Sequence, residues 1–256
     1  MFRRVCISLL IAGFVLLLPV AAQAPPEPPS YTFVAEWNVP RAQWAEVTAN
    51  FEKNSRPVLD RLMAAGTLTG WGSFASAVHS VDGPTHGTWF SASSVANIQK
   101  AFDELVRAPV NPAMESARHW DYYLRSITSK SKSVSAGSSG YLWVSSTKVQ
   151  PGKGGEWRDL WEKYGKPVFD ELLANGTITS YSVDAEYVHT DDPGWRHIVY
   201  TAPSADAIDK FGAATQAANQ KRTAEERRAI GDSFAAVTVA GTHRDFFARV
   251  VSYAHK

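Results

Sequence analysis

The chain has almost no cysteine. Cys6 is the only one in 256 residues, and it lies in an apolar N-terminal run, so the rest of the chain has no thiol for disulfides, nucleophilic catalysis or metal binding. Charge of one sign is also lacking. Lys and Arg number 26 against 25 Asp and Glu, with no basic stripe of the kind that nucleic acid or anionic lipid requires, so both partners are disfavoured. No Gly-x-Gly-x-x-Gly opens a helix after a strand, and neither Gly-x-x-x-x-Gly-Lys-Ser/Thr nor Gly-x-Ser-x-Gly appears. These absences argue against nucleotide cofactors and against a hydrolase nucleophile elbow. The lack of Cys-x-x-Cys-His excludes covalently attached haem.

What is present begins with Met1-Phe2-Arg3-Arg4, an apolar run from Val5 to Val20, and Ala22-Gln23-Ala24. A basic start, an apolar core and a small-x-small end describe a secretory signal peptide over residues 1–24, cleaved after Ala24. The run is short for a membrane span, which takes about 20 apolar residues. The expectation is an exported protein, periplasmic or extracellular, with no membrane association once cleaved. Pro25-Pro26-Glu27-Pro28-Pro29 follows as a stiff, solvated spacer over residues 25–30. A folded part starting near Tyr31 has ample material for a core, since 45% of the chain is hydrophobic and it carries 9 Trp and 12 Phe.

The chain repeats itself. Shifted by 110 residues, Tyr31–Ser94 matches Tyr141–Ser204 without a gap, with 20 of 64 positions identical. Arg56-Pro57-Val58-Leu59-Asp60 meets Lys166-Pro167-Val168-Phe169-Asp170, and Gly66-Thr67-Leu68-Thr69 meets Gly176-Thr177-Ile178-Thr179. The match resumes at an offset of 124, where His119–Arg125 meets His243–Arg249. The second copy therefore carries 14 extra residues within Gln216–Ala236. The copies span residues 31–127 and 141–256, joined by a Ser/Lys/Gly-rich stretch over 128–140 that reads as a flexible linker. Gly137-Ser138-Ser139-Gly140 lies in that linker and is no catalytic turn.

Each copy gives the same order of elements. A strand rich in aromatic and β-branched residues opens it (31–39; 141–149). An amphipathic helix follows, with Pro57 or Pro167 inside its pattern, so a kink or restart is expected there. Gly66 and Gly176 supply the stop. Two strands joined by a turn come next (67–79 and 86–92; 177–189 and 196–202), and then a helix capped by Ser94 or Ser204. A closing strand ends each copy (118–127; 243–252). Thr223-Ala224-Glu225-Glu226 is a capping box for an extra helix over about 223–235. The order βαββαβ is the ferredoxin-like unit, an antiparallel sheet with both helices on one face. Two such units in one α+β chain can bury their open faces against each other and pair their edge strands, giving a single-chain α/β barrel.

With this repeat order, and with Pro-Val-x-Asp late in the first helix and Gly-Thr-Leu/Ile-Thr entering the second strand, the chain resembles the dimeric α/β barrel superfamily in its fused two-repeat form. The resemblance covers residues 31–256. It implies the fold, and hosts as varied as cofactor-free monooxygenases, haem enzymes, isomerases and ligand-binding or stress modules, so it does not choose a function.

Candidate residues for chemistry lie in three places. In the closing strands His119, Asp121, Tyr123 and Arg125 share one side, as do His243, Asp245, Phe247 and Arg249, while Trp120, Tyr122 and Leu124 take the other. The polar row is either lumen lining or a wet edge. Its members are acid/base or anion-binding candidates, with structural ion pairs as the plainer reading. His79 and His189 end the second strands, and His86 and His197 start the third, beside Asp82 and Asp192. These four histidines are candidate ligands for a divalent metal or members of an acid/base cluster at one barrel end, or ordinary turn residues. Any of the histidines named is a candidate single axial ligand for non-covalent haem. Trp37, Trp71, Trp89, Trp143, Trp195, Tyr181 and Tyr187 would suit a pocket for a flat ligand, or plain core. The functions compatible with all this are a binding module for a small apolar or aromatic ligand, a cofactor-free or haem-dependent monooxygenase-like enzyme, and a non-catalytic assembly module. The fused repeat supplies its own pairing partner, so the chain is compatible with a monomer or a homodimer.

Overall fold

The computed structural model describes residues 29–78, 80–189 and 193–256. The expected signal peptide and most of the spacer, together with His79 and Asp192, lie outside the described residues.

The first copy runs β1 (Tyr31–Asn38), α1 (Trp44–Asn50), α2 (Arg56–Ala64), β2 (Gly70–Ser76), β3 (His86–Ala92), α3 (Val95–Leu105), α4 (Pro112–Glu115) and β4 (Arg118–Ser131). The second runs β5 (Val134–Lys148), α5 (Gly154–Leu160), α6 (Lys166–Ala174), β6 (Ser180–Val188), β7 (Trp195–Ala202), α7 (Ala205–Gln220), α8 (Ala224–Val237) and β8 (Arg244–His255). A π-helical turn precedes each internal proline, at Phe51–Ser55 and at Trp161–Gly165. Widening the helix for one turn accommodates a ring that has no N–H to donate. Gly66 and Gly176 then end α2 and α6 with φ of 78° and 83°, the left-handed conformation that glycine adopts without steric cost. Ser94 and Ser204 accept hydrogen bonds from the backbone N–H of Asn97 and Ala207. Thr223 and Glu226 close a reciprocal capping box at the start of α8.

The eight strands close into a barrel in the order β1-β3-β2-β8-β5-β7-β6-β4. Within each copy the order is that of a ferredoxin-like sheet, and the two sheets join through the antiparallel pairs β2·β8 and β4·β6. Each copy's closing strand thus covers an edge of the other, and among the described residues the barrel has no edge strand.

The Ser/Lys/Gly stretch at 128–140 is not the flexible linker its composition suggests. β4 continues to Ser131, pairing Thr128–Ser131 against Val183–Ser180, and β5 begins at Val134, opposite His255. Lys132 and Ser133 alone turn between them. Each arm finds a ladder on one side, 128–131 against β6 and 134–140 against β8, and such pairing outweighs weak intrinsic strand preference. Lys130 is further tied to Asp170 on α6, at 2.8 Å.

Helices cover the outside of the barrel over two clusters. Phe51, Leu59, Leu62, Trp71, Phe90 and Ile98 fill the first copy's. Trp157, Trp161, Phe169, Tyr181, Tyr200 and Val237 fill the second's. A third cluster, including Phe74, Trp89, Leu142, Ala248, Val250 and Tyr253, lies inside the barrel.

Candidate functional site: the barrel lumen

Alternate residues along each strand point inward. On β1 these are Thr32, Val34 and Glu36, and on β4 they are Trp120, Tyr122, Leu124 and Ser126. They surround a cavity of about 1670 Å³ whose lining reaches both barrel ends, from Ser30 and Lys256 at one to Pro84, Trp195 and Arg244 at the other. Glu36, Tyr122, Val144, Ser182 and Val199 are only half-buried although they face the inside. The lumen is therefore a chamber and not a packed core.

One wall is aromatic and apolar. A Cβ on Gly72 would meet the indole of Trp89, and one on Gly87 would meet the ring of Phe74. The two glycines are seats on which the rings lie, with Trp89 and Phe74 stacked at 6.1 Å between centroids. Phe246 meets Phe74 edge-on at 5.4 Å.

The facing wall is polar. Neighbouring strands place Ser146, His197, Asp184 and Ser126 in one row across β5, β7, β6 and β4. Ser146 Oγ and His197 Nδ1 share a hydrogen bond of 2.8 Å, which leaves Nε2 shielded from solvent and without a hydrogen-bond partner. Burial, reinforced by the positive charges of Arg244 and Arg196, pushes the imidazole down to about 4, so it is neutral near pH 7. Ser126 and Ser182 each donate to one oxygen of Asp184 at 2.6 Å. Burial pushes that carboxyl up to about 6 against the pull of the two hydroxyls. Glu36 is pushed up to about 7 by burial, partly offset by its hydrogen bond with Tyr122. The Tyr122 ring meets His197 edge-on at 6.5 Å. Tyr122 thus links the carboxyl on β1 to the imidazole on β7.

The repeat shows where the copies part. At equivalent lumen positions Glu36 stands against Ser146, Phe74 against Asp184, Gly87 against His197, Trp89 against Val199, and Trp120 against Arg244. Outside, Pro57 and Pro167, Asp60 and Asp170, and Gly66 and Gly176 are kept in both copies.

His119, Asp121, Arg125, His243, Asp245 and Arg249 are all exposed, on the outer side of their strands. The row neither faces the lumen nor forms a sheet edge: it lies on the solvent-facing outer side of strands that are paired on both flanks. His119 Nε2 lies 3.6 Å from Asp121 Oδ2, and His243 Nε2 lies 3.4 Å from Asp245 Oδ1. It is the Trp120, Tyr122 and Leu124 side of β4 that faces the lumen.

The described members of the four-histidine set are not brought together. His86 is buried on the outer side, bonded to Thr85 at 3.2 Å and set against Trp44, while His197 faces the lumen. In the repeat His86 corresponds to Arg196 and His197 to Gly87, and a one-residue offset on a strand puts side chains on opposite faces. His189 is exposed, and His79 lies outside the described residues. Among the described residues no group of three or more His, Cys, Asp or Glu could hold a metal ion. Of the aromatic set, Trp89 and Trp195 line the lumen. Trp71 and Tyr181 belong to the helix-covered clusters, and Trp143 packs against the second of them.

Glu36, Tyr122, Asp184 and Arg244 were not singled out from sequence. The available signal was a change of residue type between copies on the strand face opposite the helices. For haem, His197 has the donor chemistry of a single axial ligand, with Nδ1 held by Ser146 and Nε2 unpartnered. The residues fit that group, which when bound would supply one-electron and oxygen chemistry.

No family model matches the chain, and no curated protein sequence matches it. Solved structures do. A candidate monooxygenase from Lactobacillus acidophilus superposes with a TM-score of 0.62 at 9% identity, covering 90% of this chain and 97% of that one. A candidate monooxygenase from Fusobacterium nucleatum gives 0.61 at 8%, covering 89% and 94%. An anthrone oxidase-like protein gives 0.51 at 11%, covering 90% and 94%. At such identities the likeness is one of fold, and together with the closed strand order it places the chain in the dimeric α/β barrel fold, in a single-chain form made of two fused ferredoxin-like repeats.

Proposed function

We propose that this protein, exported from the cytoplasm, binds one small, flat, largely apolar molecule in the barrel lumen. The observation that carries the reading is the divergence of the copies. Positions that hold the frame together are kept in both, whereas lumen positions have changed to an aromatic wall in one half and a polar row in the other. A duplicated scaffold needs equal halves, and a single asymmetric ligand needs unequal ones. Apolar walls with a few placed polar groups are the usual composition of small-molecule sites.

A second reading, that the bound molecule also undergoes proton transfer in a monooxygenase-like reaction, is favoured by Glu36. A carboxyl pushed up to about 7 and held by Tyr122 is divided between its two forms near neutral pH, which suits a proton acceptor for a phenolic or enolisable substrate. The fold neighbours described as candidate monooxygenases and as anthrone oxidase-like are consistent with this reading.

Native mass spectrometry of the purified protein, compared with its denatured mass, tests the first reading. Extra mass lost on denaturation is expected. An apo mass, together with no thermal stabilisation by any member of a broad aromatic library, would overturn it.

A further inference from the structure

One mouth of the barrel carries arginines, and among the described lining residues there they come from the second copy. Arg158 on α5 and Arg244 on β8 line the cavity at the end marked by Trp195, and Arg196 borders it from the outer side of β7, beside Gly154. Their counterparts in the first copy are Thr48, His86 and Trp120. The backbone has changed to suit. Gly154 replaces Trp44 of the first copy, and a Cβ at Gly154 would stand 3.1 Å from Arg196 Nη2, so the small residue leaves room for the guanidinium. In the first copy that place is taken by Trp44, set against His86 at 5.4 Å.

Two of the guanidiniums are held by the Trp195 residue. Arg244 lies over the Trp195 ring at 4.0 Å, which fixes its plane without cancelling its charge. Arg196 donates through Nη1 to the Trp195 carbonyl at 2.8 Å, and its Nε is shielded and lacks a hydrogen-bond partner. Glu186 is the carboxylate that acts on Arg196. His197, with its unpartnered Nε2, stands within the field of both Arg196 and Arg244.

We infer that the ligand is an anion: a flat aromatic molecule bearing one oxyanion group, such as a carboxylate or sulfonate, held at this mouth by Arg158 and Arg244. Its ring system extends inward toward Phe74 and Trp89. Guanidiniums suit such a group because they donate paired hydrogen bonds in the plane of two oxygens. The inference rests on the lumen being the ligand site.

The test uses two dyes that share one skeleton, 8-anilino-1-naphthalenesulfonate and uncharged N-phenyl-1-naphthylamine, titrated into the purified protein by fluorescence. The sulfonate is expected to bind about tenfold or more tighter than the neutral dye. Arg244→Gln and Arg158→Gln should each bring that ratio down several-fold, and together toward one. Arg158 is exposed on α5, so its variant remains informative if Arg244→Gln loses stability. Arg249→Gln, on the outer side of the same strand as Arg244, should leave the ratio unchanged. A wild-type ratio near one, or an equal fall in Arg249→Gln, would overturn the inference while leaving a ligand-binding lumen in place. Binding of neither dye would remove the lumen reading itself, and the inference with it.

Discussion

The indole of Trp89 lies across Gly72 on the neighbouring strand, so closely that a Cβ there would fall within the ring. Alanine at this position must either push the indole into the chamber or distort the β2·β3 pair. Overpacking of this kind costs ~1–3 kcal/mol. Gly72→Ala should lower the midpoint of denaturant unfolding accordingly and weaken binding of any lumen ligand. Unchanged stability and binding would mean that the ring is not seated as described.

The Glu36 carboxyl gives the lumen a pH dependence of definite sign. Its folded value of about 7 lies above the ordinary 4.5, so between those values the native state holds more proton than the unfolded chain. Its contribution to stability is therefore full below pH 4.5 and lost as pH rises through 7. Asp184, pushed up to about 6, acts in the same direction over a lower range. His86, His197 and His255, each pushed down to about 4, act oppositely, and their contribution is lost as pH falls from 6.5 toward 4. Glu36→Gln removes one of these slopes. The difference in melting temperature, variant minus wild type, should grow between pH 5 and pH 8. Parallel curves across that range would contradict the burial of this group.

Asp170 anchors the joint between the copies. It takes hydrogen bonds from Lys130 at 2.8 Å, Lys166 at 2.7 Å and Tyr181 at 2.5 Å. Burial works to raise its value, but these three donors outweigh burial and bring it down to about 2. Stability from this carboxylate is thus present above pH 3.8 and lost as pH falls toward 2. Its counterpart Asp60 lies 3.5 Å from Arg56. Asp170→Asn should cost on the order of 1 kcal/mol at pH 7, a figure reduced by partial solvent exposure, and Asp60→Asn should cost less. Equal costs in chemical denaturation would show that the ties to Lys130 and Tyr181, which Asp60 lacks, contribute nothing.

The sequence carried the fold because duplication exposes it. Helix stops at Gly66 and Gly176, serine caps, and prolines at matched places each speak twice, and a βαββαβ unit has few ways to bury two open sheets. The joint at 128–140 was misread because its composition is that of a solvated linker, and only the partner strands β6 and β8 make it extended. The site was harder to see for a related reason. Periodicity states which residues share a side of β4 but not which side faces the lumen. The outward row of His119, Asp121 and Arg125 drew attention by its polarity, whereas the chamber is lined by Trp120, Tyr122 and Leu124. Glu36, Asp184 and His197 fall on three different strands, and only barrel closure brings them around one space.

The account turns on the lumen being the place where a ligand sits, and filling it is the most direct test. Val144 and Val199 face each other across β5 and β7 on the lumen wall. The variant Val144→Phe with Val199→Phe occupies that space while leaving Glu36, His197 and the arginines unsubstituted. Titration with N-phenyl-1-naphthylamine is predicted to show one site in the wild type, with affinity at least tenfold lower in the filled barrel and its melting temperature within a few degrees of the parent. Unchanged affinity in a folded, filled barrel, or several equivalent sites in the wild type, would place binding on the outer surface and contradict the account.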